Sequence, residues 1–282
     1  MLVLLFRLLS YLPLRVLHAM GSALGWCAYL LAPSYRRRLR GNLERAGYGA
    51  VLPQAIAEAG KAVFELPFLW CAKPERVAAC AIEDNFALVE EALALGRGLV
   101  VLTPHLGCFE ITAQQIALRT RLTVMYRPPR QAALRPLIEG ARARDNLFLA
   151  PATLAGVRIL ARSLKKGEAI GVLPDQVPQQ GEGVWAPFFG RPAYSMTLPG
   201  KLAQMGKSPV LLVYAERLPR GRGFRLRFSP FTGSLDGTPA QQAGAINAAM
   251  EQLIGECPAQ YNWSYNRYKQ PDGVAAPTGV AP

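Results

Sequence analysis

An α/β fold built on a largely parallel sheet is what this sequence predicts, and three observations predict it. Short apolar runs alternate with amphipathic segments from residue 98 to residue 215, the pattern of buried strands joined by crossover helices. The 282-residue chain is 51% hydrophobic and 18% charged, enough apolar material for one large core and too much for disorder. Neither an internal repeat nor a clear linker divides it, so a single domain is expected over residues 36–270.

The elements follow in order. Residues 53–72 read as an amphipathic helix that Pro67 kinks or breaks. Residues 84–95 read as a second helix, capped by Asp84-Asn85 and stopped by Gly96. Gly98–Thr103 is a continuous apolar run, hence a buried strand. A Pro104-His-Leu-Gly107 loop leads to a helix over 108–118. Leu122–Tyr126 reads as a strand, 133–144 as a helix, Leu147–Ala150 as a strand, 153–166 as a helix and Ala169–Leu173 as a strand. A Gly-, Pro- and Gln-rich loop is expected over 174–196. A helix at 197–206, strands at Pro209–Ala215 and Phe224–Phe228, and a helix at 239–256 complete the body. The tail from Pro271 to residue 282 reads as disordered.

The N-terminus departs from this pattern. Residues 1–32 are almost wholly apolar, and Val16 to Tyr35 holds no Lys, Arg, Asp or Glu, close to the ~20 residues that span a bilayer. The stretch is too long for a signal peptide and no clear cleavage site follows it. Gly21, Gly25 and Pro33 weaken it as a spanning helix, so an interfacial helix competes, as does a buried first helix of the core. Residues 1–35 are expected to form a membrane-associated helix. Arg36, Arg37, Arg38 and Arg40 follow, and in either membrane reading they put the rest of the chain on the cytoplasmic side.

The formal net charge of +13 asks for an anionic partner: nucleic acid, an acidic membrane or an acidic carrier. Nothing resembles a zinc finger or a single-strand stacking platform, so nucleic acid is not expected. The five cysteines form no Cys-x-x-Cys pair and read as reduced thiols. With only His18 and His105 as histidines, no metal site is expected.

The stretch that carries chemistry is His105-Leu-Gly-Cys-Phe-Glu110. It sits where a buried strand ends and a helix begins, the end of an α/β sheet at which ligands bind. A histidine there can take a proton from a hydroxyl. Glu110, in the first helical turn, could reach back to fix its tautomer, as the acid does in a Ser-His-Asp triad. No Gly-x-Ser-x-Gly elbow supplies a nucleophile, so the pair suits direct attack by a substrate hydroxyl. Taken alone, a histidine at a helix start is equally a capping or packing residue. Gly206-Lys-Ser208 invites a phosphate-loop reading that fails, because position 201 is Lys where a glycine is required.

His105–Glu110, preceded by Leu99-Val-Val-Leu-Thr-Pro, resembles the His-x-x-x-x-Asp/Glu block of glycerolipid acyltransferases. The His-Leu-Gly-x-x-Glu form resembles the late acyltransferases of lipid A biosynthesis, the lauroyl and myristoyl transferases. Other blocks of that family have counterparts in order: Tyr126-Arg127-Pro128, Gly140-Ala-Arg142, Gly167-Glu168 with Pro174-Asp175-Gln176, Pro187-Phe188-Phe189-Gly190, and Trp263-Ser-Tyr-Asn-Arg267-Tyr-Lys269. The apolar N-terminus and the arginines before Asn42-Leu43 fit as well, so the likeness covers about residues 1–270. The phospholipid-making branch carries Pro-Glu-Gly-Thr-Arg where this chain reads Pro174-Asp175-Gln176, which counts against a glycerophosphate acceptor. Cys108 stands where Asn is common and reads as a small packing residue.

The resemblance implies a glycerolipid-acyltransferase-like domain at the bacterial inner membrane. It implies transfer of a fatty acyl chain from acyl carrier protein to a hydroxyl of a lipid A precursor, without cofactor or metal. His105 is then the general base and Glu110 its orienter. Arg142 would balance the oxyanion or bind an acceptor phosphate; otherwise it is a solvated helix charge beside Arg144. Asp175 would hold Arg142 or the acceptor sugar; otherwise it is a turn residue. Arg127 would bind phosphate or carrier; otherwise it is a solvated charge after a strand. Another phospholipid or glycolipid acceptor, or a membrane-binding protein with a degenerate site, are the alternatives.

Overall fold

The apolar N-terminal stretch folds as three helices, not one: α1 (Leu2–Leu9), α2 (Leu14–Leu31) and α3 (Pro33–Arg45). The structure, a computed structural model, describes residues 2–127, 134–142 and 145–277. Pro33 opens α3, where its fixed φ suits a first helical position and its missing N–H costs nothing, and α2 and α3 meet at a bend of 104°. No single helix among the described residues is long and apolar enough to cross a membrane. This corrects the reading of Val16–Tyr35 as one spanning segment. Gly21 and Gly25 have a different use: they let α2 lie against α4 (Leu52–Phe64). A Cβ on Gly25 would stand 2.2 Å from the Ile56 carbonyl oxygen, and one on Gly60 1.9 Å from that of Gly21. Leu14 and Leu17 are buried in the apolar cluster that holds Phe68 and Phe224, and His18 is buried beside Phe224 and Glu65, while Leu4, Leu8, Met20, Leu24 and Leu31 stay exposed.

After α4 the chain breaks before Pro67 into α5 (Leu66–Cys71), then turns through α6 (Pro74–Ala78). The helix read over 84–95 forms as α7 (Ala87–Ala94), and just ahead of it lies a strand that the sequence reading does not contain, β1 (Ala81–Asp84). Then β2 (Leu99–Leu102), α8 (Phe109–Ala117), β3 (Leu122–Tyr126), α9 (Arg135–Arg142), β4 (Leu147–Pro151), α10 (Leu154–Lys165) and β5 (Ala169–Val172) alternate as expected. The expected loop 174–196 holds a hairpin of its own, β6 (Gly183–Phe188) and β7 (Arg191–Met196). The chain ends with α11 (Leu198–Gly206), β8 (Val210–Arg217), β9 (Phe224–Pro230) and α12 (Pro239–Glu256).

Seven strands form one sheet in the order β1-β9-β8-β2-β5-β3-β4. Every neighbouring pair is parallel except β8 with β9. All four residues of β2 and of β5 are buried, as central parallel strands covered on both faces must be. One apolar cluster joins α10, α11 and α12 to one face, and a second joins α5, α7 and α8 to the other. The hairpin packs on α12, and Trp185 on it donates to the Ala275 carbonyl at 2.8 Å, which ties down the described part of the tail. The last five residues, 278–282, lie outside the described residues.

Candidate active site

The loop from β2 to α8 sets the site. Gly107 adopts φ +58°, and a Cβ on it would lie 1.9 Å from the Ala215 carbonyl oxygen. Only glycine meets both demands, the left-handed turn and the close approach to β8. The loop is tied on both sides. Cys108 N–H donates to Ala215 at 2.8 Å, Gly107 N–H to the Gln260 carbonyl at 3.1 Å, and Asn262 N–H to the His105 carbonyl at 3.1 Å. Cys108 itself is fully buried, and burial pushes its thiol well above the usual range, so it serves as packing rather than as a thiolate.

His105 emerges at the C-terminal end of the central strand with 15% of its side chain exposed. Its Nδ1 lies 2.8 Å from Asp175 Oδ1, and its backbone N–H donates to Asp175 Oδ2 at 2.9 Å. Asp175 sits just beyond β5, the strand next to β2, and is 2% exposed. Burial pushes its carboxyl up, but the attraction of His105, the two hydrogen bonds from it and Arg267 outweigh that and leave the value below the ordinary 3.8. An ionised carboxylate only accepts, so Nδ1 carries the proton and the neutral ring keeps its lone pair on Nε2. Gln176 Nε2 is 3.0 Å from that atom and donates to it.

The carboxylate hydrogen-bonded to the ring is thus that of Asp175. Glu110, given that part by its spacing, lies in the first turn of α8 and accepts from Trp70 Nε1 at 3.3 Å. It lines the same cavity as His105. Asp175, expected to hold Arg142 or a sugar, instead holds His105. Arg127, exposed just after β3, stands at the cavity edge. Arg142 ends α9, and its side chain lies outside the described residues. In the sequence Gln176 is visible only as the end of the Pro174-Asp175-Gln176 block. Its place on the imidazole could not be read from spacing, because it is 71 positions from His105.

A cavity of about 680 Å³ opens at His105. Gln176, Glu182 and Lys201 stand at the polar end, and Val101, Ile116, Leu122 and Val213 line an apolar depth between the sheet and α8. The size, and an apolar depth joined to a polar end, are those of a small-molecule or acyl-chain site.

Behind the loop, Arg217 is buried with 1% of its side chain exposed. It grips Glu65 with two bonds of 2.8 and 2.7 Å, reaches Glu58 at 2.7 Å and donates to the Gly107 carbonyl at 3.2 Å. Burial pushes the Glu65 carboxyl up, and Arg217 and His18 together pull it below the usual value. The C-terminal signature is equally structural. Buried Arg267 donates to the Tyr194 carbonyl at 2.8 Å and to Ser195 Oγ at 2.6 Å. Asn42 of α3 donates to the Trp263 and Tyr265 carbonyls at 2.8 and 2.9 Å. Those contacts tie the last block of the chain to α3.

A histidine held by a buried carboxylate at the mouth of an apolar cavity, with no serine or cysteine hydrogen-bonded to its ring among the described residues, is an arrangement able to take a proton from a hydroxyl. The chain matches the family of bacterial lipid A biosynthesis acyltransferases over residues 1–270, and it belongs to that family. It is 25% identical over 278 residues to the lipid A biosynthesis lauroyltransferase of Escherichia coli (strain K12), covering 95% of this chain and 90% of that protein. It is 26% identical over 274 residues to the palmitoleoyltransferase of the same organism, covering 92% and 86%. A lipid A biosynthesis acyltransferase of Haemophilus influenzae is 29% identical over 180 residues, 62% of this chain and 55% of that protein.

Proposed function

We propose that the protein transfers a fatty acyl chain from acyl carrier protein to a hydroxyl of a lipid A precursor. The observation that carries this reading is the His105 imidazole, held through Nδ1 by Asp175, with Nε2 turned to an apolar cavity. The acceptor hydroxyl displaces the Gln176 amide from Nε2. His105 takes the hydroxyl proton as the oxygen attacks the thioester carbonyl. Arg142 balances the charge on the resulting oxyanion, a role suited to a planar guanidinium. Collapse of the intermediate breaks the carbon–sulfur bond, and the leaving thiolate takes the proton back from the imidazolium. The acyl chain occupies the apolar depth throughout, and Arg127 meets an acceptor phosphate or the acidic carrier at the edge.

His105→Ala lowers transfer by roughly 10²–10⁴-fold, the span for loss of a general base, in a protein that still folds. Purified enzyme, the carrier thioester and the precursor, read by mass spectrometry, give the number. Near-wild-type transfer by the variant would sink the reading.

The same proposal places the enzyme on the cytoplasmic face of the inner membrane. The exposed leucines of α1 and α2 dip into the interface, and Arg36, Arg37, Arg38 and Arg40 on α3 meet anionic head groups. Reversing the four arginines to glutamate weakens binding to anionic vesicles by about 1 kcal/mol per basic charge lost, before added repulsion. Sedimentation with vesicles measures it, and unchanged binding would place the anchor elsewhere.

A further inference from the structure

The apolar depth of the cavity is floored by a residue without a side chain. In register across the sheet, Val101 of β2 stands opposite Gly171 of β5, and Gly171 opposite Val124 of β3. In-register residues of parallel strands share a face, so the three form one row, and all three line the cavity. The next row down, away from His105, holds Ala169, Leu122 and Leu147. Leu122 and Leu147 line the cavity too, and Ile116 of α8 covers it. The hollow thus passes over Gly171 and ends among Leu122, Leu147 and Ile116.

Nothing in the backbone requires glycine there, since Gly171 is absent from the positive-φ positions. A glycine inside a buried strand weakens it and often marks a place where something else comes close. A Cβ on Gly171 would find its three nearest atoms all on β3: Val124 Cγ1 at 3.0 Å, Leu122 Cδ1 at 3.8 Å and Val124 Cβ at 4.0 Å. Toward α8 it would project into the cavity.

We propose that Gly171 determines how long an acyl chain the enzyme accepts, an inference that rests on the acyl-transfer reading. The missing side chain is the passage by which the alkyl tail crosses the Val101–Val124 row and comes to rest on Leu122, Leu147 and Ile116. A side chain at 171 closes that passage and forces the tail to end one row earlier, two residues or about 6.6 Å along the strand. That is several methylenes of extended chain.

Full-length enzyme in detergent is given an equimolar mixture of carrier thioesters bearing saturated chains from eight to sixteen carbons. Mass spectrometry of the acylated precursor reads the product ratios, which report relative kcat/KM within one tube and do not depend on overall rate. Gly171→Val moves the preferred length to a shorter chain, lowering the ratio of the wild-type favourite to the shorter product by about tenfold or more, the scale at which one methylene is discriminated in an apolar pocket. Gly171→Ala moves it the same way by less, and Leu122→Ala moves it toward longer chains. If Gly171→Val does not fold, the opposite shifts of the last two carry the test. An unmoved profile in Gly171→Ala and Leu122→Ala, with wild-type transfer intact, overturns the role of Gly171 alone. A wild-type enzyme that transfers none of the chains overturns the acyl-transfer reading, and this inference with it.

Discussion

Asp175→Asn should lower kcat by about 10⁴, the loss seen when the acid of a Ser-His-Asp triad becomes an amide. The reason is the tautomer. Asp175 takes two hydrogen bonds from His105, one from Nδ1 and one from the backbone N–H. An asparagine can keep the backbone bond through its carbonyl oxygen, but its NH₂ then faces Nδ1 and donates. That bond forces the ring proton onto Nε2, the atom that must be bare to take the acceptor's proton. The side chain keeps its size, so the fold should survive, and KM for both substrates should change far less than kcat. Steady-state rates on the purified variant check it. A loss of less than about tenfold would mean that Asp175 packs the site without orienting the base.

Arg217→Met should cost about 3–5 kcal/mol of stability, the penalty for breaking a buried ion pair from one side. Glu65 would be left buried, at 3% side-chain exposure, facing the His18 ring 3.5 Å away. Glu58 is better placed, because it also pairs with Lys61. The Gly107 carbonyl would lose its guanidinium donor. Replacing both partners, as Arg217→Met with Glu65→Leu, should recover much of the loss, because apolar pairs of similar volume often match buried ion pairs. Denaturant unfolding followed by fluorescence measures both. The folded-state carboxyls of Glu65 and Asp175 lie below their ordinary values of 4.5 and 3.8. Their contribution is therefore complete above those values and is lost as pH falls through the lowered ones. The acid limb of the wild-type curve should flatten in the double variant. A single Arg217→Met that costs less than about 1 kcal/mol would contradict this picture of the core.

Most of the sheet is legible in the sequence because central parallel strands are buried on both faces. Leu99–Leu102 and Ala169–Val172 read as apolar runs for that reason. β1 is not, since it is four residues long with only Ala81 and Ile82 apolar, and its last residue, Asp84, reads as the cap of the helix that follows. The hairpin β6–β7 hides for another reason. Its register closes Phe188 on Arg191, leaving a two-residue turn of Phe189 and Gly190, at φ +44° and +70°. Such turns usually carry Asn-Gly or Asp-Gly, and a phenylalanine in a left-handed conformation gives no turn signal. Its N–H is held by Glu251 at 2.7 Å, a contact 62 positions away that no local pattern contains.

The site divides in the same way. His105 announces itself by its place at a strand end. Its carboxylate does not, because proximity along the chain favoured Glu110, five residues away, while adjacency of β2 and β5 in the sheet brings Asp175 from 70 residues away. Sheet order is a tertiary property, and spacing in the sequence cannot state it. In the same way the glycines of α2 look like defects in a spanning helix until Gly60 of α4 is seen against them.

The central claim, that Asp175 holds His105 with its proton on Nδ1, meets its most direct test in the nitrogen NMR spectrum of the ring. The chain contains only two histidines, so ¹⁵N-histidine labelling gives few signals, and His105→Ala assigns them. At a pH where the ring is neutral, the wild-type protein should show His105 protonated at Nδ1 and bare at Nε2. The same pattern should persist in Glu110→Gln and switch to Nε2-protonated in Asp175→Asn. A wild-type ring protonated at Nε2, or a tautomer that Glu110→Gln switches and Asp175→Asn leaves alone, would contradict the account and return the orienting role to Glu110.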